Sequence, residues 1–528
     1  MAPTGEVVLQ APAHRHQQAS TQPHRQAAQQ RTPVAWLSGA VLLAFAVELA
    51  AILVATGGHF TYTLDDPYIH LALADHIRHG HYGINPGEAS SPSSSPLWPF
   101  LLAATAGLPF QAWMPLIWNL FATLGSVLVL HDVFVRHLSG RKPVAATAVA
   151  AVGLNLVGVA FTGMEHSLQV LLALLVGRGV VRLVRDDVVD RLLLVAVVVG
   201  PLVRYENAAL SVAAAVLLLL RGRVRVATLT TLAWLLPLAG FSVFLMSLGL
   251  DPLPSSVLAK SALAGSASPA VTLGWHVVAA FVLHPVFLLA FGAFVLDAVV
   301  MRRWTLLHSF GAFLLAAHAV AGNFEPLCRY ELYVLAAILP AFTDLAGRWW
   351  CGPRRQVVAG RCVVTVVVIS TAPLALWAVR TPAASADIAS QQAQTARFVA
   401  EYWQRPIAVN DLGLVAYRGR QPVLDLWGLA SQEARKDRLA GGTWLGPLVA
   451  ERGVQLAAVY PEWFPGQIPG SWVEVATLTG TRRVASAERT VSFYATTPGG
   501  VPIVCDAVER FAADAGGMRV GQVCGGRD

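Results

Sequence analysis

Long apolar segments follow one another along most of this chain, and they restrict its fold more than any other feature of the sequence. A helix that crosses a bilayer needs roughly 20 mostly apolar residues. Only 13% of the residues are charged, whereas soluble domains carry about 25%. We therefore predict a mostly α-helical, polytopic membrane bundle of about 11 spans, at residues 34–56, 112–135, 143–161, 167–184, 190–203, 207–220, 226–249, 276–300, 305–321, 331–346 and 360–379.

Basic residues give this bundle an orientation, because arginine and lysine clusters next to spans stay in the cytoplasm. Such clusters follow every even-numbered segment, so these loops and the N-terminus are predicted to be cytoplasmic, in a cell inner (plasma) membrane. Residues 1–33 are polar and cannot bury enough apolar surface to fold; we interpret them as a disordered cytoplasmic tail that binds no nucleic acid. The clusters are Arg136, Arg141 and Lys142; Arg182, Arg185 and Arg191; Arg221, Arg223 and Arg225; Arg302 and Arg303; and Arg348, Arg354 and Arg355.

The odd-numbered segments end in a different set of charges, which the same rule puts on the outer face. Carboxylates, histidines and isolated cations are concentrated there, so we expect the chemistry of the protein at this face. The candidates are Asp65, Asp66, Glu165, His166, Arg204, Glu206, Lys260, Arg329 and Glu331.

Residues 380–528 have an ordinary composition and follow the last segment. Short strand-like runs such as "RPIAVND" and "PVLDLWG" alternate with helical patterns, which predicts an extracytoplasmic α/β domain. Cys505 and Cys524 lie in this domain. A compartment that permits disulfides favours a bridge between them, with two free thiols as the alternative.

Asp65 and Asp66 stand at the start of a large first outer loop, residues 57–111, within the stretch "TYTLDDPYIH". A solvated turn would explain them. A catalytic role would also explain them, because a carboxylate held at the bilayer surface can accept a proton from a hydroxyl. Tyr68 and His70 begin the apolar-patterned stretch that follows, which suits a helix lying in the membrane interface.

The isolated outer cations Arg204, Lys260 and Arg329 have two interpretations. They could extend to water or form salt bridges with Glu206 and Glu331, which lie two residues beyond the arginines. They could instead bind a lipid phosphate, since arginine binds phosphate through two parallel hydrogen bonds. Glu165 and His166 also have two interpretations: they could form a helix turn, or they could take part in acid/base chemistry. His284 and His308, in the middle of predicted spans, could pack inside the bundle or bind a ligand.

The residues around the acidic pair resemble a known family. "TLDDPYIHLALADHIRHGHYGIN", followed by "SSPSSSPLWPFLLA", resembles the first extracytoplasmic loop of the GT-C superfamily of membrane glycosyltransferases. "TGMEHSL", "PLVRYEN", "LPSSVLAK" and "VNDLGLVAY" with "PVLDLWGL" are more narrowly similar to bacterial relatives of the terminal arabinofuranosyltransferase of mycobacterial cell-wall arabinan. The likeness covers most of residues 34–470.

The resemblance implies a GT-C-like fold over 34–379 and a polyprenyl-phosphate sugar donor, with arabinofuranose as one candidate sugar. It implies an extracytoplasmic acceptor, which is a glycan, lipid or protein. Asp65 becomes the catalytic carboxylate, with Asp66 as its partner. If the sugar is transferred with inversion, Asp65 acts as general base; if it is transferred with retention, Asp65 acts as nucleophile or ion-pair stabiliser. With such a donor, the argument from their positions makes Arg204, Lys260 and Arg329 candidate donor-phosphate ligands. The candidate acceptor or supporting residues are Tyr68, His70, Glu165, His166, Glu206 and Glu331.

No cofactor follows with certainty from the sequence. The resemblance allows a divalent cation near the acidic pair, but no dedicated ligand set is evident. Two other functions stay open: a transporter or flippase, for which mid-membrane charges and internal repeats would be expected, and a non-catalytic assembly factor of the same fold.

The orientation of the bundle can be tested by labelling single cysteines with a membrane-impermeant thiol reagent in intact cells. We expect a cysteine in residues 380–528 to be labelled and one in the N-terminal tail to be protected until the membrane is permeabilised, because the basic exits fix the tail in the cytoplasm. Labelling of the tail in intact cells would contradict this orientation.

Overall fold

The computed structural model describes residues 22–260, 274, 277–278, 284–322, 324, 329–349, 353–515 and 518–524. Helices dominate the first 390 residues, and a mixed sheet with shorter helices follows, so the predicted fold class is confirmed. The helices that precede the sheet are α1 (Gln22–Ala55), α2 (Asp66–Arg78), α3 (Trp98–Ala103), α4 (Met114–Val135), α5 (Lys142–Gly153), α6 (Leu156–Ala160), α7 (His166–Asp186), α8 (Arg191–Val203), α9 (Ala208–Leu220), α10 (Val224–Ser247), α11 (Ser255–Lys260), α12 (Pro285–Val300), α13 (Leu306–Ala321), α14 (Leu332–Gly347), α15 (Arg354–Ser370), α16 (Ala372–Ser390) and α17 (Gln392–Phe398).

Apolar helices occupy the positions of the predicted spans. Within the described ranges, five helical stretches are long and apolar enough to cross a membrane. Six further apolar helices are shorter, and the number of spans stays a prediction. The five long stretches are Pro33–Ala55, Gln111–Val135, His166–Asp186, Val224–Ser247 and Arg354–Trp403; the six shorter ones are Lys142–Gly153, Arg191–Val203, Tyr205–Leu220, Pro285–Val300, Leu306–Ala321 and Leu332–Gly347.

The boundaries differ from the sequence prediction in three places. Helix α1 begins at Gln22, so the end of the predicted disordered tail, residues 22–33, is helical; residues 1–21 lie outside the described residues. The predicted span 143–161 is divided into α5 and α6 at Asn155, whose φ of 48° is left-handed and cannot continue a helix. Helix α16 continues past residue 379 to Ser390 and thereby joins the bundle to the sheet domain without a linker.

The C-terminal domain is built on one six-stranded sheet with the order β2-β1-β3-β5-β4-β6. β2, β1 and β3 are parallel, and β5, β4 and β6 are antiparallel to their neighbours. Its elements are β1 (Ile407–Val409), α18 (Gly413–Gly419), β2 (Val423–Asp425), α19 (Gln432–Ala440), α20 (Leu445–Glu451), β3 (Leu456–Val459), β4 (Val473–Thr479), β5 (Thr490–Ala495), α21 (Val501–Ala515) and β6 (Met518–Val520).

The parallel half of the sheet determines where a binding site can form. The chain goes from β1 to one neighbour, β2, and then crosses to the other neighbour, β3. The loops that leave the carboxyl ends of β1 and β3 therefore diverge, and such a switch point leaves a crevice that commonly binds ligands. The residues that follow the three parallel strands at this edge are Asn410 and Asp411, Leu426 and Trp427, and Tyr460 to Trp463.

The first outer loop is folded against the sheet domain. Pro67 to Ala74 of α2 are all buried, so this helix is covered by protein and not laid in a lipid interface. The side-chain amide of Asn85 pairs with the backbone of Val423 at the free edge of β2, donating to its carbonyl over 2.9 Å and accepting from its N–H over 2.8 Å. At the other side of the domain, Cys505 and Cys524 form a disulfide.

Candidate active site between the helical bundle and the α/β domain

A cavity of about 260 Å³ lies where the first outer loop meets the carboxyl edge of the parallel strands. It has two walls. The bundle wall consists of Leu64, Asp65, Asp66, Ile69, Arg329 and Ile388; the domain wall consists of Gln392, Asn410, Asp411, Leu412, Trp427, Leu429, Trp463, Ala485, Ser486 and Ala487.

Asp65 connects the two walls. It is the residue before α2, and its carboxylate accepts hydrogen bonds from the first two amides of α18: Oδ2 from Gly413 N at 2.6 Å and Oδ1 from Leu414 N at 2.8 Å. The first amides of a helix have no partner within the helix, and the helix dipole favours an anion there. These contacts fix the orientation of the carboxylate relative to the domain.

Gly413 makes this approach sterically possible. A β-carbon added at residue 413 would lie 2.1 Å from the carbonyl oxygen of Asp65 and 2.7 Å from its Oδ2. Both distances are far below van der Waals contact. A side chain at this position would therefore push the first outer loop away from the domain.

Asp66 faces the same cavity and pairs with a cation. Its Oδ2 lies 3.1 Å from Arg329 Nη2. Arg329 is almost fully buried, whereas about a fifth of the Asp66 side chain is exposed (22%). The pair places one of the predicted phosphate ligands directly beside the acidic pair.

Asp411 is a third carboxylate in the cavity and was not singled out from the sequence. It follows β1 and accepts hydrogen bonds from Gln392 Nε2 at 2.9 Å and from the Tyr460 hydroxyl at 2.8 Å. The only sequence signal for Asp411 was its position just after a strand. If that strand is parallel to its neighbours, an acid at this position lies at the carboxyl edge of the sheet, where ligands commonly bind. The run "AVND" alone did not reveal the strand order.

Burial and neighbouring charge raise the pKa of two of these carboxylates, Asp65 and Asp411. Removal from bulk water raises the pKa of Asp65 to about 8, the charges of Asp411 and Asp66 add to the rise, and the amides of Leu414 and Gly413 oppose it. Burial likewise raises the pKa of Asp411, helped by Asp66 and opposed by Gln392 and Tyr460. Like charges this close do not all ionise together near neutral pH, so the cavity can hold and exchange a proton.

Arg204, a second predicted phosphate ligand, lies in a buried ion-pair network. Its guanidinium donates to Glu165 Oε1 at 2.8 Å, and to both oxygens of Glu206 at 3.1 and 2.6 Å. Its guanidinium carbon also lies 5.1 Å from the centroid of the Tyr330 ring. The carboxylates hold Arg204 in place, and its role toward phosphate stays a prediction.

Tyr330 joins this network to the cavity. The guanidinium carbon of Arg329 lies 5.0 Å from the same ring centroid, so the two arginines are separated by at most about twice that distance. The structure thus places Asp66 beside Arg329 and Arg204 near Arg329, and a shared anionic ligand stays a prediction. The Lys260 side chain lies outside the described residues.

The remaining predicted residues surround this core. His70 Nε2 lies 3.7 Å from Glu165 Oε2, and the His166 ring packs on Tyr330 with centroids 5.5 Å apart. The Tyr68 hydroxyl accepts the backbone N–H of Tyr62 at 3.1 Å, which shapes the loop before Asp65. Glu331 Oε1 lies 2.9 Å from Nδ1 of His284.

The sequence did not decide whether the protein binds a metal ion. Among the residues that the structure describes, no group of three His, Cys, Asp or Glu side chains is arranged to hold a metal ion. A divalent cation stays a prediction from the family resemblance.

Residues 386–494 match a family described as "Domain of unknown function (DUF8728)". No curated protein matches the chain. The crystal structure of ArnT from Cupriavidus metallidurans bound to undecaprenyl phosphate aligns with 88% of this chain and 99% of its own, with 14% identity and a TM-score of 0.49. A likeness at this level assigns neither a substrate nor a catalytic residue.

Gly413→Ala tests whether the walls meet as described. We expect it to lower stability by about 1–3 kcal/mol, since overpacking at a closed contact costs that much, and the thermal midpoint of the purified protein should fall by a few degrees. Gly470→Ala is the matched control, because its added β-carbon meets nothing within 4 Å. Equal melting temperatures of the two variants would contradict the docking of Asp65 on α18.

Proposed function

We propose that this protein is a glycosyltransferase of the GT-C type, which moves a sugar from a polyprenyl-phosphate donor to an acceptor outside the cytoplasm. The observation that carries the proposal is the cavity in which Asp65, Asp66 and Asp411 meet Arg329. An amphiphilic donor needs a site at the junction of apolar helices and a water-soluble domain, and this cavity lies at such a junction. The motif resemblance of residues 34–470 points to the same chemistry.

The bundle wall suits the phosphate of the donor. Arg329 supplies a guanidinium at the cavity, and Asp66 orients it through their 3.1 Å contact. Arg204 lies near the same Tyr330 ring, with its charge balanced by Glu165 and Glu206. We propose that Arg329 binds the phosphate directly, that Arg204 holds the Tyr330 ring in place beside Arg329, and that Lys260 supplies a further cation.

Asp65 suits the role of general base. Each of its oxygens is oriented by one backbone amide, which leaves lone pairs on both oxygens for a proton from the acceptor hydroxyl. As that proton leaves, the hydroxyl oxygen attacks the anomeric carbon and the lipid phosphate departs beside Arg329. General-base attack of this kind inverts the anomeric centre. Arabinofuranose as the sugar rests on the motif resemblance alone.

Asp65→Asn removes the base and keeps the size of the side chain, and its amide oxygen can still accept one of the two hydrogen bonds from α18. We expect transfer from a polyprenyl-phosphate pentose to an extracytoplasmic glycan fraction to fall about 10²- to 10⁴-fold. Donor binding should persist, because its phosphate ligands lie on other residues. The measurement is transfer of labelled sugar by purified protein, with donor affinity and melting temperature recorded in parallel.

Asp75→Asn is the matched control for this variant. Asp75 lies on the same loop helix but is exposed and does not line the cavity, so its transfer rate should equal that of the wild type. Turnover by Asp65→Asn close to the wild-type rate would remove the catalytic assignment.

The raised pKa of Asp65 predicts a pH profile. A base must be ionised, so transfer should be slow in acid, rise about tenfold per pH unit, and level off above the pKa of about 8. Asp411→Asn removes a charge that raises this pKa, so the midpoint of its profile should move to lower pH. A pH profile of kcat/KM checks both. An unchanged midpoint in Asp411→Asn would refute the coupling.

A further inference from the structure

Two tryptophans line the domain wall of the cavity, and the mechanism above gives them no role. Trp427 and Trp463 are both half-buried, with ring centroids 4.5 Å apart and planes inclined by 51°. Large aromatic side chains contribute most to the free energy of packing or binding when their faces are covered by another group. A tilted pair that remains partly open to a polar cavity offers apolar surface to a ligand that also has polar groups.

Trp427 is fixed in place before any ligand arrives. Its backbone N–H donates to Asp425 Oδ1 at 2.9 Å, and the other oxygen of Asp425 accepts from Ala430 N at 2.6 Å, so this carboxylate closes the loop. Arg438 donates from Nε to the carbonyl of Trp427 at 3.2 Å, and its guanidinium carbon lies 4.0 Å from the ring centroid. Such preorganisation reduces the entropic cost of binding.

Trp463 completes the surface from the next strand. It follows β3, and its ring packs against Tyr460 with centroids 5.5 Å apart. Tyr460 in turn donates to Asp411 at 2.8 Å. The two indoles are thus linked through one tyrosine to the carboxylates of the site.

A sugar ring matches this surface. The C–H bonds on one of its faces pack on an aromatic plane, while its hydroxyl groups point outward to polar partners such as the amide side chains of Gln392 and Asn410 in the same cavity. A lipid chain would offer these polar side chains no hydrogen-bond partner.

The position of the pair separates acceptor from donor. The donor approaches from the helices, so its phosphate faces Arg329 on the bundle wall, and the tryptophans are on the other wall. We propose that Trp427 and Trp463 form the subsite for a sugar ring of the acceptor, which makes the acceptor a glycan. This inference rests on the proposed transferase function and adds the class of its acceptor.

The test is saturation-transfer NMR with the full-length protein in nanodiscs. The probes are three trisaccharides, built from arabinofuranose, from galactofuranose and from glucose, and they are added as one mixture. We expect binding by the wild type, at least about tenfold weaker binding by Trp427→Ala and Trp463→Ala, and largely retained binding by Trp427→Phe. Asp75→Asn should bind like the wild type, because Asp75 is exposed and does not line the cavity.

Trp377→Ala is the matched control. Trp377 is also half-buried, and Arg380 stacks on it at 5.1 Å, but it does not line the cavity, so its loss should leave binding unchanged. No binding of any trisaccharide by the wild type, or equal binding by Trp427→Ala and Trp463→Ala, would overturn the subsite.

The outcome also separates this inference from the function on which it rests. Tryptophan-dependent sugar binding without any transfer by the wild type would reject the transferase and support a sugar site. Normal transfer by Trp427→Ala with an unchanged KM for the acceptor would reject the subsite and support the transferase.

Discussion

The contact between the Asp65 carboxylate and the first two amides of α18 is the interaction on which the rest of the site depends. It joins residues separated by 348 and 349 positions in the chain and closes the first outer loop of the bundle onto the carboxyl edge of the sheet. It acts together with the pairing of Asn85 and Val423, which holds the same loop against β2. The same contact orients the one carboxylate that we assign to catalysis, so the architecture and the chemistry share a single hydrogen-bonded group.

Charge is arranged in two layers behind this contact. The cavity layer holds three carboxylates and Arg329, and the buried layer holds Arg204 between Glu165 and Glu206. The Tyr330 ring lies near both guanidinium groups, with its centroid 5.1 Å from the guanidinium carbon of Arg204 and 5.0 Å from that of Arg329. Removing one partner of a buried ion pair is costly because the other charge is left uncompensated, so the buried layer holds its geometry. Arg329, which lines the cavity, is the residue that we propose binds the donor phosphate.

Hydropathy and charge patterning predicted the helical segments and the α/β domain, because apolar periodicity depends on local sequence. Asp65 and Asp66 could be singled out for the same reason: two acids directly after a span are visible in the sequence alone. Asp411 could not, since its importance depends on β1 being parallel to both β2 and β3, and strand order is a property of the folded chain. The sequence also presented Arg204 as an isolated cation, whereas its carboxylate partner Glu165 comes from another helix end. The start of α1 at Gln22 and the strand β6 lie in polar segments without a clear period.

The central claim is that the two walls form one site for a lipid-linked sugar. A cryo-electron microscopy structure of the protein in nanodiscs with a bound, non-hydrolysable polyprenyl-phosphate sugar analogue tests it most directly. The account predicts that the phosphate lies within hydrogen-bonding distance of Arg329, with the anomeric carbon facing Asp65 and the lipid chain running along the helices. A phosphate bound at the opposite end of the bundle, or a sugar that does not enter the cavity between Asp65 and Asp411, would contradict it.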